Sequence, residues 1–287
     1  MTVFWALLSG FCFGTADIFT RMGVRTATPY TGAIFNSISM VTALGIVLGI
    51  RGSGPGALWP AAGWFFLVGV AGLAPGRLLY YFSIRRLGVS RAAVLNSVTP
   101  FLVILIGVVF LGERPTWHIP VGAVFIVGGV VGILVDRSAT RISPSAAVFG
   151  LIPTVFFALI PVFMRMGMRS LPDPLLGTAI SSGGALIALL AGGFLVPREI
   201  RWGGDLRGIG FFLLGGLCYA SAFITLYKAV SLGTVSFVAP LSYISPLVSI
   251  LIARVMIQKL EQVTWRLAAG ALTVFIGVVV ISMSAGG

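Results

Sequence analysis

The sequence is poor in charged residues, and acidic residues are the scarcest of them. Asp and Glu number only 7 among 287 residues, against 19 Lys and Arg, and charged residues make up 9% of the chain. A soluble domain carries about 25% charged residues, so this composition excludes an ordinary water-soluble protein. The basic residues stand singly between apolar runs rather than along one polar face, which excludes nucleic acid as the expected partner.

Residues that carry metal-ion and nucleophilic chemistry are also scarce. The single histidine is His118, and the two cysteines, Cys12 and Cys218, both fall inside apolar runs. This set excludes a histidine-based metal cluster and a disulfide framework. The sequence has no phosphate-binding loop, nucleophile elbow or ATPase motif. We therefore expect no enzyme activity, no cofactor and no metal, and an ion or solute gradient as the only energy source.

The chain is rich instead in apolar runs of about 20 residues, the length that crosses a bilayer core as a helix. Hydrophobic residues make up 58% of the sequence. Short connections containing Gly, Pro and Arg separate the runs, which predicts antiparallel neighbouring helices. We predict an all-α membrane protein with ten spans: 3–23, 30–50, 60–84, 91–111, 117–135, 147–168, 174–196, 208–230, 235–256 and 264–284.

The ten spans form a tandem repeat. The motif 19–25 (FTRMGVR) at the end of the first span returns as 163–169 (FMRMGMR) at the end of the sixth. Leu87-Gly88, Pro100, Glu113, Thr116-Trp117 and Gly122 return in the same order as Leu232-Gly233, Pro246, Glu261, Thr264-Trp265 and Gly270. We predict five-helix repeats at 1–142 and 143–287. Because five is odd, the second repeat enters the membrane inverted, an architecture common in secondary transporters.

These motifs resemble the drug/metabolite transporter superfamily, in particular its ten-helix EamA-type members. The residues that carry the resemblance are 87–92 (LGVSRA), Pro100, 111–116 (LGERPT) and Gly122, with weaker copies in the second half. The resemblance implies transport of a small metabolite, since members are said to move amino acids, nucleosides, sugars and other compounds. It also implies that both termini lie inside the cell.

The distribution of basic residues predicts the opposite orientation. The loops after the odd-numbered spans hold most of the arginines, and the positive-inside rule places them in the cytoplasm. Both termini would then lie outside. The expected location is in either case the cell (inner) membrane, crossed many times.

Asp17 is the one acidic residue within an apolar run. A carboxylate there costs about 2.5–3.5 kcal/mol on insertion scales and must face the bundle interior or water. Gly10, Phe13 and Gly14 share its helical face. Asp17 is therefore a candidate for binding a cationic group or for coupling transport to protons. The alternative is an ion pair with Arg21, four residues further on.

Arg77 lies well inside the third span, directly after Pro75-Gly76. Proline kinks a helix, and the backbone groups it frees are tolerated at membrane depth only beside protein or a wet cavity. Tyr80 and Tyr81 share the helical face of Arg77. The guanidinium would grip a substrate carboxylate or phosphate as a bidentate fork. The alternative is an internal salt bridge to Asp17.

Small polar residues recur at matched positions of the two halves. They are Asn36, Asn96 and Thr99 in the first, and Ser181, Ser242 and Ser245 in the second. One interpretation is hydrogen bonding between helices, which is common in membrane bundles. The other is that the second, fourth, seventh and ninth spans line a central substrate cavity. Trp5, Tyr219 and Tyr243 would add aromatic walls to it, or serve as interface anchors.

Prolines, two turn glutamates and spaced glycines predict structural features. Helix kinks are expected at Pro75, Pro100, Pro161 and Pro246. Glu113 and Glu261 occupy equivalent turns, where we expect them to cap helices. Glycines spaced by four favour close helix contact; they are Gly10/Gly14, Gly45/Gly49, Gly72/Gly76 and Gly128/Gly132.

The expected function is secondary transport, as an exporter of a small polar or amphiphilic metabolite such as an amino acid. Alternating access through a central cavity would move it, either with proton coupling through Asp17 or by facilitated diffusion. Other interpretations are a multidrug or organic-cation exporter and a passive channel or facilitator. An intramembrane enzyme is disfavoured, since one embedded carboxylate is a poor catalytic set. The expected partners are the substrate and the bilayer, with the chain a monomer or homodimer.

Overall fold

The computed structural model describes residues 1–52, 59–87, 92, 95–96, 98–134, 144–256 and 265–283. The helices are α1 (Thr2–Val24), α2 (Pro29–Arg51), α3 (Trp59–Leu67), α4 (Ala74–Leu87), α5 (Thr99–Leu111), α6 (His118–Leu134), α7 (Pro144–Ser170), α8 (Pro174–Ala191), α9 (Arg198–Arg201), α10 (Leu206–Leu232), α11 (Val235–Ser242), α12 (Ser245–Met256) and α13 (Trp265–Met283). Across the described ranges the β-type pairing is a single isolated bridge between Ala27 and Gly204.

Membrane-spanning helices occupy the predicted positions. In the part of the chain that is described, six helices are long and apolar enough to cross a bilayer: Thr2–Val24, Pro29–Arg51, Ala61–Leu87, Val148–Ser170, Pro174–Leu195 and Leu206–Leu232. Shorter apolar helices fall in the other four spans, at Thr99–Leu111, His118–Gly132, Val235–Ser249 and Leu272–Ile281. The prediction of an all-α membrane protein is confirmed.

Local sequence signals set the helix ends at the loops. Asp173 precedes α8, and its carboxylate accepts hydrogen bonds from the N–H groups of Leu175 and Leu176. Asp205 precedes α10 and accepts from the N–H of Gly208 at 2.7 Å. Such side chains satisfy donors that the first turn of a helix leaves unpaired. At its other end α2 stops at Gly52, whose φ of 67° is the left-handed conformation that glycine adopts readily.

The predicted proline kinks take three different forms. Pro75 follows a π-helical stretch, Val68–Leu73, which separates α3 from α4. Pro161 lies inside the continuous helix α7. Pro100 and Pro246 are each the second residue of a helix, α5 and α12, so they begin helices rather than kink them. The missing proline N–H costs nothing in a first turn, where no helical partner exists. The ninth span is consequently divided into α11 and α12.

Helix packing repeats between the two halves. α1 packs along α10, and its counterpart α7 packs along α3 and α4. α1 also contacts α12, as α7 contacts α5, and the counterparts α2 and α8 pack against each other, as do α6 and α13. Contacts between the halves therefore hold the bundle together and place α1, α4, α7 and α10 around its centre.

Two phenylalanines occupy equivalent places at these crossings. Each ring fills space beside two glycines, Gly23 and Gly32 for Phe212, and Gly167 and Gly177 for Phe65. Tyr81 stacks on Phe212 with ring centroids 5.8 Å apart, and Tyr227 meets Phe65 edge-on at 5.5 Å. The side-chain packing thus follows the repeat, even where the motifs of the two halves have diverged.

Glu113 caps a helix of the other repeat. Its carboxylate accepts hydrogen bonds from the N–H groups of Val235 and Ser236 at 2.7 and 2.8 Å, and from the Ser236 hydroxyl. A side chain in the turn between α5 and α6 thus accepts the N–H groups that the first turn of α11 leaves unpaired. The capping prediction is correct for Glu113, while Glu261 lies outside the described residues.

Candidate functional site

A cavity of about 140 Å³ lies among α1, α4, α5, α7, α10, α11 and the start of α12. Its lining combines one carboxylate, one guanidinium and seven aromatic side chains. The lining residues are Phe13, Asp17, Leu73, Arg77, Tyr80, Tyr81, Asn96, Val103, Phe157, Ile160, Pro161, Tyr219, Phe223, Leu226, Ala239, Ser242, Tyr243 and Ser245. Both charged residues singled out in the sequence therefore face the same space.

Asp17 projects from α1 into this cavity. One carboxylate oxygen accepts a hydrogen bond of 2.7 Å from the hydroxyl of Tyr219 on α10. The predicted alternative, an ion pair with Arg21, does not form: within the described ranges the recorded ion pair joins Arg51 to Asp173. A tyrosine of the second repeat, rather than a cation of its own helix, is the partner of this carboxylate.

Close packing beside Asp17 depends on glycine. Gly10 and Gly14, on the same helical face, lie against the backbone of the ninth span, where an added Cβ would come within 2.8 Å of the Ser242 oxygen or 2.6 Å of the Ser245 oxygen. The absence of side chains lets α1 approach α11 and α12 closely. This close approach holds the part of the cavity wall formed by Ser242, Tyr243 and Ser245 against α1.

Arg77 is almost fully buried, with 5% of its surface exposed. One terminal nitrogen donates to the Ser37 hydroxyl at 3.2 Å, and the other contacts the Met40 sulfur at 3.5 Å. The guanidinium carbon lies 5.2 Å from the ring centre of Tyr219, a cation–π contact. Asp17 is not within ion-pair distance, so the predicted alternative of an Asp17–Arg77 salt bridge is wrong.

Tyr219 lines the cavity, as the aromatic-wall interpretation expects, but its link to both charges was not predicted. It joins the two charges, because its hydroxyl donates to Asp17 while its ring contacts the guanidinium of Arg77. The other interpretation, an interface anchor, is wrong, because Tyr219 is only 8% exposed and lies at the middle of α10. Its position at the centre of the eighth span, far from either helix end, was the available signal.

The other predicted binding residues divide into two groups. Tyr80, Tyr81, Asn96, Ser242 and Ser245 line the cavity, whereas Asn36, Thr99 and Ser181 do not. Tyr80 packs edge-on against Phe157, with ring centroids 5.9 Å apart. The Tyr81 hydroxyl lies 3.4 Å from that of Thr20.

Asn36 and Ser181 serve helix contacts instead, whereas Thr99 bonds a residue of its own stretch of chain. Asn36 donates to the Phe212 carbonyl at 3.5 Å, and its side-chain oxygen is buried with no partner in the described structure. Ser181 bonds the hydroxyl of Tyr227 and the carbonyl of Phe65. Thr99 donates to both oxygens of Asn96. The second and seventh spans thus lie behind the lining, and the prediction that they line the cavity is corrected.

No metal centre is formed by the described side chains: they contain no group of three or more His, Cys, Asp or Glu residues able to hold an ion. What they do form is a bundle of membrane-crossing helices around a polar and aromatic cavity. This combination defines a polytopic membrane protein with an internal cavity, the class to which secondary transporters belong.

The chain belongs to the EamA-like transporter family, whose model matches residues 1–135 and again 144–283. It is 29% identical over 132 residues to an uncharacterized transporter in the cobO 3' region of Sinorhizobium sp.. That stretch is 45% of this chain and 92% of the relative, which is therefore about the length of one predicted repeat. A crystal structure of another protein, 18% identical, superposes with a TM-score of 0.79 over 99% of this chain and 97% of its own, which shows the shared fold. The protein is thus a membrane transporter.

Proposed function

We propose that the protein transports a small zwitterionic metabolite, such as an amino acid, by alternating access through the central cavity. The observation that carries the proposal is that one cavity is lined by a carboxylate, Asp17, and a guanidinium, Arg77, which do not pair with each other. A buried charge without a counter-ion is costly. A ligand with an ammonium and a carboxylate supplies both missing partners.

The size of the cavity favours a small substrate. An engineered cavity of about 150 Å³ accepts benzene, a molecule of six heavy atoms. The volume of about 140 Å³ therefore suits a ligand the size of alanine. Longer side chains would have to displace the aromatic rings of the lining.

The proposed direction is export, and the proposed coupling is to protons through Asp17. The carboxylate is placed to alternate between a proton and a substrate ammonium, since both compete for the same oxygens. Facilitated diffusion without coupling is the simpler alternative.

The aromatic lining supports a second candidate, an organic cation. Phe13, Tyr80, Tyr219 and Phe223 offer ring faces and edges near one carboxylate. Aromatic cages of this kind recognise organic ammonium groups. A ligand of this class would use Asp17 and leave Arg77 bound to α2.

Transport assays in proteoliposomes separate these candidates. Alanine uptake by counterflow should saturate in the wild type and be lost in Arg77→Ala and in Asp17→Asn. Arg85→Ala, which removes an exposed arginine from the same helix α4, is the matched control and should transport normally. Transport of alanine unchanged by Arg77→Ala would exclude the zwitterion site. Non-saturable flux without counterflow would instead identify a passive channel.

A further inference from the structure

We propose that Tyr219 determines the selectivity of the site, because it makes binding at Asp17 and binding at Arg77 depend on each other. The inference rests on the proposed zwitterion site and adds to it a residue of α10. It starts from the position of Tyr219 in the cavity lining, in contact with both charges.

Tyr219 occupies the places that the two ends of a zwitterion would take. Its hydroxyl donates to Asp17 at 2.7 Å, as a substrate ammonium would. Its ring lies 5.2 Å from the guanidinium carbon of Arg77, where it offers the cation a negative face. An ammonium is the stronger donor to a carboxylate, since charge-assisted hydrogen bonds are about twice as strong as neutral ones. A substrate therefore displaces the hydroxyl.

Displacing Tyr219 from Asp17 also affects Arg77. The hydroxyl and the ring belong to one rigid side chain, so a ring that yields to an ammonium moves relative to the guanidinium. The terminal nitrogens of Arg77 already contact Ser37 and Met40 on α2. The contact between the guanidinium and the Tyr219 ring is therefore the one that a ligand in the cavity replaces.

The consequence differs between two ligands. A zwitterion compensates Arg77 with its carboxylate when the ring moves. A simple amine gives Arg77 nothing in return, so the cation loses its π partner and the amine is disfavoured. Selectivity for zwitterions then arises from a penalty on the wrong ligand as well as from contacts with the right one.

A tyrosine-to-phenylalanine substitution isolates this link. Tyr219→Phe keeps the ring beside Arg77 but removes the hydroxyl from Asp17. An amine then reaches Asp17 without moving the ring. The preference for a zwitterion over the matching amine should fall by about tenfold, the size of one cation–π contact or neutral hydrogen bond.

Alanine and ethylamine are suitable probes, since ethylamine is alanine without its carboxylate. Their affinities for the purified full-length protein in detergent are measured by calorimetry in wild type, Tyr219→Phe and Tyr227→Phe. Tyr227 also lies on α10, but it is outside the cavity lining and its hydroxyl bonds Ser181, so its variant is the matched control. We expect the alanine/ethylamine ratio to fall in Tyr219→Phe and to stay unchanged in Tyr227→Phe.

The outcomes distinguish the inference from the proposed function. If Tyr219→Phe weakens or preserves both affinities alike, Tyr219 has only a structural role and the inference is overturned, while the zwitterion site stands. If the wild type binds ethylamine but not alanine, the proposed function fails and the inference fails with it. Should Tyr219→Phe not fold, Tyr219→Leu provides the test. With no hydroxyl on Asp17 and no ring beside Arg77 to displace, ethylamine should bind more tightly than in the wild type, and an unchanged or weaker ethylamine affinity would overturn the inference.

Discussion

The Glu113 carboxylate connects the two repeats at one end of the bundle. Removing it in Glu113→Ala deletes three hydrogen bonds to the first turn of α11, two from backbone N–H groups and one from the Ser236 hydroxyl. Val235 and Ser236 are both fully buried, so few solvent contacts can replace the carboxylate directly. We expect the variant to be less stable and the contact between α5 and α11 to loosen.

The size of the effect follows from two limits. Hydrogen bonds to a charged group contribute about 1.5–3 kcal/mol each when buried. Loss of an ordinary N-cap side chain costs about 0.5–2 kcal/mol, because water replaces part of the interaction. A pocket of about 310 Å³ adjoins Glu113 and is large enough to hold water. The expected loss in the free energy of unfolding is therefore about 2 kcal/mol.

Unfolding by SDS in mixed micelles measures this loss. Arg114→Ala is the control, because Arg114 is the exposed neighbour in the same turn, and its removal should change stability by less than about 0.5 kcal/mol. Glu113→Gln, which keeps one acceptor oxygen, should recover part of the loss. A Glu113→Ala variant as stable as Arg114→Ala would refute the reasoning and show that the cap contributes nothing to the contact between repeats.

Two further predictions concern glycine spacing and a helix cap. Gly14→Ala should lower the melting temperature in detergent, since the added Cβ would meet the Ser245 oxygen. Gly49 faces open space, so Gly49→Ala should leave the melting temperature unchanged. Equal effects of the two substitutions would contradict the packing. Hydrogen bonds to the Asp205 carboxylate lower its pKa, and the bond from the N–H of Gly208 contributes most. Its charged form thus stabilises the folded state above about pH 4, and this contribution is lost as the pH falls through the lowered pKa. The melting-temperature difference between wild type and Asp205→Ala should therefore shrink in acid; a constant difference would argue against the cap.

The charged members of the site were predictable because charge is rare in this chain. A carboxylate or guanidinium inside an apolar run has few tolerable locations, so Asp17 and Arg77 were identified before the fold was known. Their partners were not predictable in the same way. Helical spacing suggested Arg21 for Asp17, but Tyr219 on α10, distant in sequence, is the residue that reaches it.

Uncharged polar residues were harder to assign from sequence. Asn36 and Ser242 both belong to the small polar positions that match between the two halves, yet Ser242 lines the cavity and Asn36 lies between α2 and α10. A hydroxyl or amide satisfies its hydrogen bonds equally well in a cavity wall and in a helix contact. Sequence spacing cannot distinguish these two environments.

Composition and periodicity by themselves determined that the chain crosses a membrane as helices in two related halves. Apolar runs of bilayer length and recurring motifs act locally along the chain, and no distant contact is needed to interpret them. The tertiary structure alone decided which residues meet. Gly10 and Gly14 lie at a helix contact while Gly45 and Gly49 face open space, although both pairs have the same spacing. The side of a helix that is covered depends on its neighbours, and packing between the repeats fixes those neighbours.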